Sequence, residues 1–250
     1  EKIKMIMIVE ATTGVAAFEN NEVDIQSDLP VADMDRLKKL PEYTLFPMLG
    51  IYYYGFNIKN PSLEKVEVRQ ALAMAMDRQS IIDNVAKADQ LPAVSFTPKG
   101  MPGWDVFHKS ELLKPTADKE GAKKLLADAG FPDGQGLREI VIYYNTSEGH
   151  QAIATAVQDQ WKQVGANVTL KNMEWKQYLD FLPNNDDVMV YRMGWVADFN
   201  DAYNFLEILR EKSGNNYTSW SSPEYEKTLE DALQAPGSYT HLTTPTVHHV

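Results

Sequence analysis

The strongest constraint on this chain is a hydrophobic period that switches repeatedly between strand-like and helix-like from residue 139 onward. Glu139–Asn145 (EIVIYYN) reads as a strand, and Glu148–Val164 as a helix with Ile153, Ala156, Val157, Gln160 and Val164 on one stripe. Gly165 stops that helix, and Ala166–Leu170 (ANVTL) is strand-like again. Trp175–Leu182 follows as a short helix, Val188–Arg192 as a strand and Ala202–Arg210 as a helix. Strands that alternate with helices in this way define an α/β unit.

The upstream half carries the same signals less regularly. Residues 3–9 (IKMIMIV) read as a strand, Gly14–Asn20 as a short helix, and Val23 and Ile25 as a turn into a second strand. Ala32–Leu40 is a short amphipathic helix ended by Pro41, and Leu45–Asn57 is a long extended segment rich in aromatics. Val68–Val85 is the clearest helical region, with Val68, Leu72, Ala75, Met76, Ile82 and Val85 on one face. Asp77-Arg78-Gln79-Ser80 interrupts it and suits the end of one helix and the N-cap of the next. Lys87–His108 holds three prolines and reads as a long loop, while Asp118–Ala129 is a helix stopped by Gly130. Ser222-Pro223 caps a last helix, Pro223–Gln234, with proline at its favoured first position.

Both ends stand apart from this pattern. The chain begins Glu1-Lys2 with neither an initiating Met nor a signal peptide, so it is expected to be a piece of a longer protein. Pro236–Val250 loses the periodicity of the preceding helix, and its SYTHLT string resembles a translated sequencing adaptor, so a non-native tail is expected. His241, His248 and His249 cluster there without supporting carboxylates or regular spacing, and no metal site or cofactor is assigned.

Charge and cysteine content narrow the function classes. A formal net charge of −11 argues against nucleic-acid binding, which needs clustered Lys and Arg. No apolar run approaches the roughly 18 residues of a membrane-spanning helix. The absence of cysteine excludes disulfides, thiolate nucleophiles and thiolate metal sites. The many acidic residues stand beside no nucleophile or metal motif, so a solvated surface explains them better than acid–base catalysis.

The candidate site lies in Val188–Leu209 (VMVYRMGWVADFNDAYNFLEIL), where the strand ends at Arg192 and Gly194-Trp195 breaks the regular pattern. An arginine, a tryptophan and a carboxylate, Asp198, are thereby delivered to one spot. Open α/β sheets bind ligands outside the carboxyl ends of their strands. Trp195 and Trp175 suit pocket walls, since rigid aromatics enclose side chains at low entropic cost, with a core role as the competing reading for Trp175.

Taken together, these segments resemble the oligopeptide- and dipeptide-binding class of extracytoplasmic solute-binding proteins of ABC transporters (family 5). VRQALAMAMDRQSII (Val68–Ile82) is similar to that class's best-known signature. ATTGVAAFENNEVDI, YYYGFN, AKKLLADAGF, YNTSEGH, EWKQYLDF, GWVADFNDAYNFL and NNYTSWSSPEYEK occur in the family's order, so the resemblance covers roughly residues 1–235. It implies a periplasmic-binding-protein type II-like α/β fold in which two lobes enclose a peptide. This chain would supply part of lobe 1 (residues 1–55) and most of lobe 2 (residues 56–235).

The resemblance also implies roles. Asp198 matches the aspartate that anchors the ligand's amine, and Arg192 and His150 match residues that meet its carboxylate end, directly or through water. His150 reads equally well as a solvent-exposed helix-start residue. A planar guanidinium suits a carboxylate because it binds it bidentately. One departure is that close members carry a second arginine beyond the EW motif, where this chain has Phe181-Leu182-Pro183. The implied function is peptide binding without catalysis by a monomer outside the cytoplasmic membrane, periplasmic or lipid-anchored, with an ABC permease as partner. The alternatives are another cargo (a nickel chelate, a sugar or heme) or a carboxylate-dependent hydrolase.

Overall fold

The computed structural model describes residues 2–102, 104 and 113–235. The expected tail and part of the Lys87–His108 loop lie outside these residues. Four strands form one sheet: β1 (Gly50–Phe56), β2 (Ile140–Asn145), β3 (Val168–Met173) and β4 (Val190–Val196), in the order β1-β4-β2-β3. β2 runs parallel to both β3 and β4, whereas β1 pairs antiparallel with β4. The helices are α1 (Ala11–Glu19), α2 (Met34–Leu37), α3 (Val66–Met74), α4 (Arg78–Ile81), α5 (Lys119–Asp128), α6 (Glu148–Lys162), α7 (Trp175–Asn184), α8 (Tyr203–Leu206) and α9 (Pro223–Gln234). Among the described residues no helix is long and apolar enough to cross a membrane.

Alternation along the strands sorts side chains onto two faces, and each face is covered. Ile140, Ile142, Val168 and Val190 meet Val68 and Leu72 of α3, Leu126 of α5 and Val157 and Trp161 of α6. On the opposite face Tyr143, Tyr191 and Met193 pack with Tyr178 and Leu182 of α7. Helices therefore lie on both sides of the sheet, as an α/β fold requires.

The Asp77 junction shows how local chemistry sets up tertiary contact. Asp77 caps α4 by accepting from the Ser80 N–H at 2.8 Å, as its position in the interruption predicts. Its own backbone N–H donates to Gln160 Oε1 at 2.9 Å, and its carbonyl accepts from Gln160 Nε2 at 3.2 Å. Next to Gln160, the buried Trp161 indole N–H donates to the Leu72 carbonyl at 2.9 Å. The first helical region is thus tied to α6 by polar bonds as well as apolar contact.

Two glycines make a backbone crossing possible. Gly134 and Gly165 have φ of +76° and +95°, and a Cβ on either would run into the backbone around the other. Only a residue without Cβ fits such a close approach at positive φ.

Several expectations are corrected. Residues 3–9 form no strand: Ile3, Met5, Met7 and Val9 are 87% exposed or more, and no strand among the described residues pairs with them. Val23 and Ile25 are likewise outside any strand, with Ile25 exposed. Apolar alternation supplies a strand's side chains, but its backbone groups need a neighbouring strand. The first helix starts at Ala11 rather than Gly14, and the helix expected over 32–40 is a 3-10 turn followed by α2, ending at Leu37. The extended segment over 45–57 is a strand only over Gly50–Phe56. β4 does not stop at Arg192. It runs through Gly194 and Trp195 to Val196, because β1 pairs along its whole length from Phe56↔Val190 to Gly50↔Val196.

Candidate functional site

Because β2, β3 and β4 are parallel, their carboxyl ends point to one edge, and all five predicted residues lie there. His150 sits in the first turn of α6 after β2, and Trp175 opens α7 after β3. Arg192 and Trp195 occupy the second half of β4, and Asp198 follows it. The start of β1, antiparallel to β4, brings Tyr52 to the same edge.

The structure brings Arg192 and His150 together around Tyr52. The Arg192 guanidinium lies 4.4 Å from the centroid of the Tyr52 ring, a cation–π distance. Its Nη1 donates to Asn145 Oδ1 at 3.2 Å. No carboxylate pairs with Arg192 among the described residues, and its buried Nε has no partner there, like the Tyr54 hydroxyl facing it across the strand pair. His150 Nδ1 lies 3.3 Å from the Tyr52 hydroxyl, with the two ring centroids 5.6 Å apart. Burial, and then the Arg192 guanidinium, push the His150 imidazole down to about 4, so it is uncharged at neutral pH. Burial also raises the Tyr52 phenol above its ordinary value.

The β2–β4 ladder is short, with Ile142↔Val190 and Tyr143↔Tyr191 as its pairs. Beyond it the Tyr178 hydroxyl takes over, lying 3.1 Å from the Tyr143 carbonyl and 2.6 Å from the Arg192 carbonyl. α7 therefore anchors the backbone from which Arg192 projects. Trp175 packs beside Tyr178 with ring centroids 6.2 Å apart, yet it remains 44% exposed. That exposure sets aside the core reading for Trp175.

Trp195 pairs with Ile51 and so lies on the opposite sheet face from Arg192. Its indole N–H donates to Asn204 Oδ1 at 3.1 Å, and the same oxygen accepts the Asp198 backbone N–H at 2.8 Å. Asn204 Nδ2 in turn donates to Glu207 Oε1 at 3.0 Å. Asn204 is a buried organiser of the turn that carries Asp198, whose side chain stays exposed. Sequence reasoning passed over Asn204, and also Tyr52 and Asn145. The available signal for Asn204 was a polar residue within the apolar helix DAYNFL, where burial forces it to find partners.

The edge thus offers a partly buried cation beside a neutral imidazole, an exposed carboxylate on a separately braced turn, and two tryptophans. His150 is paired with a phenol and not with a nucleophile. Among the described residues no group of three or more His, Cys, Asp or Glu is placed to hold a metal ion.

Comparison with known proteins agrees with this architecture. The family model described as bacterial extracellular solute-binding proteins, family 5 Middle, matches residues 1–217. The oligopeptide-binding protein OppA of Bacillus subtilis is 38% identical over 242 residues, covering 93% of this chain and 44% of that protein. The chain therefore spans less than half the length of this curated relative. Among solved structures, a Borrelia burgdorferi periplasmic oligopeptide-binding protein superposes with a TM-score of 0.83 at 30% identity, over 94% of this chain and 46% of that one. Haemophilus influenzae OppA, in complex with RPPGFSPFR, gives 0.79 at 32% identity, over 90% and 45% respectively. Its sheet, its covering helices and the matched residues agree, and the chain belongs to family 5 of the bacterial extracellular solute-binding proteins, with their type II periplasmic-binding fold.

Proposed function

We propose that this chain provides the gripping surface for a peptide that a solute-binding protein delivers to an ABC transporter permease, without chemistry on the ligand. The observation that carries the reading is the Arg192 guanidinium, partly buried, stacked on Tyr52 and paired with no carboxylate among the described residues. A cation so placed calls for an anion, and a peptide's terminal carboxylate fits its planar fork. Asp198, exposed on the turn braced by Asn204, takes the ligand's ammonium, and Trp195 and Trp175 wall the side chains between. The relatives named for oligopeptide binding support this cargo. In this reading the boundary between a first and a second lobe falls near residue 55, with β1 crossing it to join the second lobe's sheet beside β4, and closure between lobes supplies the remaining enclosure by a hinge motion. The protein works outside the cytoplasmic membrane, in the periplasm or held by a lipid.

The test is calorimetry on a protein of the relatives' full length that carries these residues. Asp198→Asn weakens binding of a free-amine tripeptide by about tenfold or more, the value of a lost charge-assisted hydrogen bond, and leaves its N-acetylated form unaffected. Equal effects on both peptides would overturn the anchor. The 250-residue chain alone is expected to bind short peptides weakly, because its edge residues face the ligand from one side.

A further inference from the structure

Tyr52 stands between the two groups assigned to the ligand's anionic end, and three features of its surroundings give it a task. It faces Gly194 across the β1–β4 pair, while Arg192 faces Tyr54, so Tyr52 and Arg192 are diagonal neighbours on one sheet face. A Cβ built at Gly194 would meet Arg192 Nη2 at 3.5 Å, an ordinary contact, so the guanidinium lies over the residue that faces Tyr52. With that ring on one side and Asn145 Oδ1 on another, the side chain is held before any ligand arrives. Pre-ordering a long side chain removes an entropy cost from binding.

The hydroxyl acts on the second group. A neutral imidazole has one donor nitrogen and one acceptor, and the partner of one decides which nitrogen carries the proton. A phenol donates well to an imidazole nitrogen and accepts poorly from one, and the positive charge beside its ring sharpens that preference. The Tyr52 O–H therefore donates to Nδ1, which places the His150 proton on Nε2.

We propose that Tyr52 is a positioning residue for recognition of an anionic ligand end: its ring carries Arg192, and its hydroxyl fixes His150 as an Nε2–H donor. The inference rests on the peptide reading for the identity of the anion, a terminal carboxylate. Arg192 and His150 then present a charged and a neutral donor to it together, in a geometry that neither would hold alone.

The experiment uses the whole 250-residue chain, labelled with ¹⁵N, and long-range proton–nitrogen spectra of its histidine rings. His150 is assigned by its disappearance in His150→Gln. The expected wild-type spectrum has Nδ1 in the unprotonated range and Nε2 in the protonated range, and Tyr52→Phe, which keeps the ring, moves His150 toward a mixture of tautomers. Millimolar tri-alanine shifts the His150 Nε2 and Arg192 signals, whereas tri-alanine amide does not. Tyr52→Leu, which loses the ring as well, weakens the tri-alanine response by about tenfold, and Tyr52→Phe restores most of the Arg192 part. A wild-type His150 protonated on Nδ1, or a His150 spectrum unchanged in Tyr52→Phe, overturns the role of Tyr52. The expected tautomer with equal responses to tri-alanine and its amide instead overturns the carboxylate assignment, and locates the failure in the peptide reading.

Discussion

Asn204 and Trp195 are joined by a hydrogen bond from the indole N–H to the buried Asn204 side-chain oxygen, at 3.1 Å, across the turn that carries Asp198. The same oxygen holds the Asp198 N–H, so one buried acceptor fixes the strand end and the turn together. Asn204→Ala removes it and strands both donors, and is expected to cost about 2–3 kcal/mol in denaturant unfolding. Tryptophan emission should shift to longer wavelength as Trp195 gains solvent. Asn204→Asp keeps an acceptor but sets a second carboxylate against Glu207, which now accepts from Asn204 Nδ2, and should be no better tolerated. A loss under about 0.5 kcal/mol for both variants would show that the turn does not depend on this residue.

His150 makes stability depend on pH in a defined direction. Its folded value of about 4 lies below the ordinary 6.5, held there by burial and by Arg192 from β4, with the Tyr52 phenol of β1 as its other neighbour. Below the ordinary value the unfolded chain takes up a proton that the folded one refuses. The contribution is therefore complete at neutral pH and drains away as pH falls toward the folded value. His150→Gln should flatten the stability curve across that window, by on the order of 2 kcal/mol after allowance for partial exposure. Parallel curves for the two proteins, from urea unfolding at each pH, would contradict it.

Trp161 couples a full apolar side chain to a polar bond. Its N–H donates to the Leu72 carbonyl at 2.9 Å, and its ring stacks near Phe56 with centroids 6.2 Å apart. Trp161→Phe leaves both a void and a buried carbonyl without its donor, and is expected to cost about 2–4 kcal/mol. Thermal unfolding followed by circular dichroism measures this directly.

Two glycine substitutions should have opposite signs. Gly165→Ala puts a Cβ into the Asp133 backbone at a φ of +95°, and should destabilise by about 2 kcal/mol or more. Gly149→Ala lies in α6, where a Cβ meets only Ser147 Oγ at 3.8 Å, and should stabilise by about 0.5 kcal/mol. Urea midpoints that move in the same direction for both would refute the conformational argument.

Much of the second half of the chain was legible in advance because its signals are short-range. α6 and α9 begin where Glu148 and Pro223 predict, Gly130 and Gly165 take positive φ just beyond α5 and α6, and Asp77 caps α4. The five residues chosen for the site do lie along one sheet edge, since the carboxyl ends of parallel strands can be read from the order of elements. Reading failed where a segment's state depends on a distant partner. Residues 3–9 and Ile25 have the apolar character of strands and no strand beside them among the described residues. β4 continues past Gly194 because β1, about 140 residues earlier, supplies its hydrogen bonds.

The α/β alternation, most helix limits and the family can be read from short-range signals, because period, caps and turn glycines act over a few residues. Tertiary structure alone decided which side chains meet. It put Tyr52 against His150 across 98 positions and stacked Tyr52 on Arg192, while placing Trp195 on the other face with Asn204. Strand register is the physical reason. A shift of one residue between β1 and β4 would turn every β1 side chain to the opposite face, and nothing local to either strand specifies that pairing.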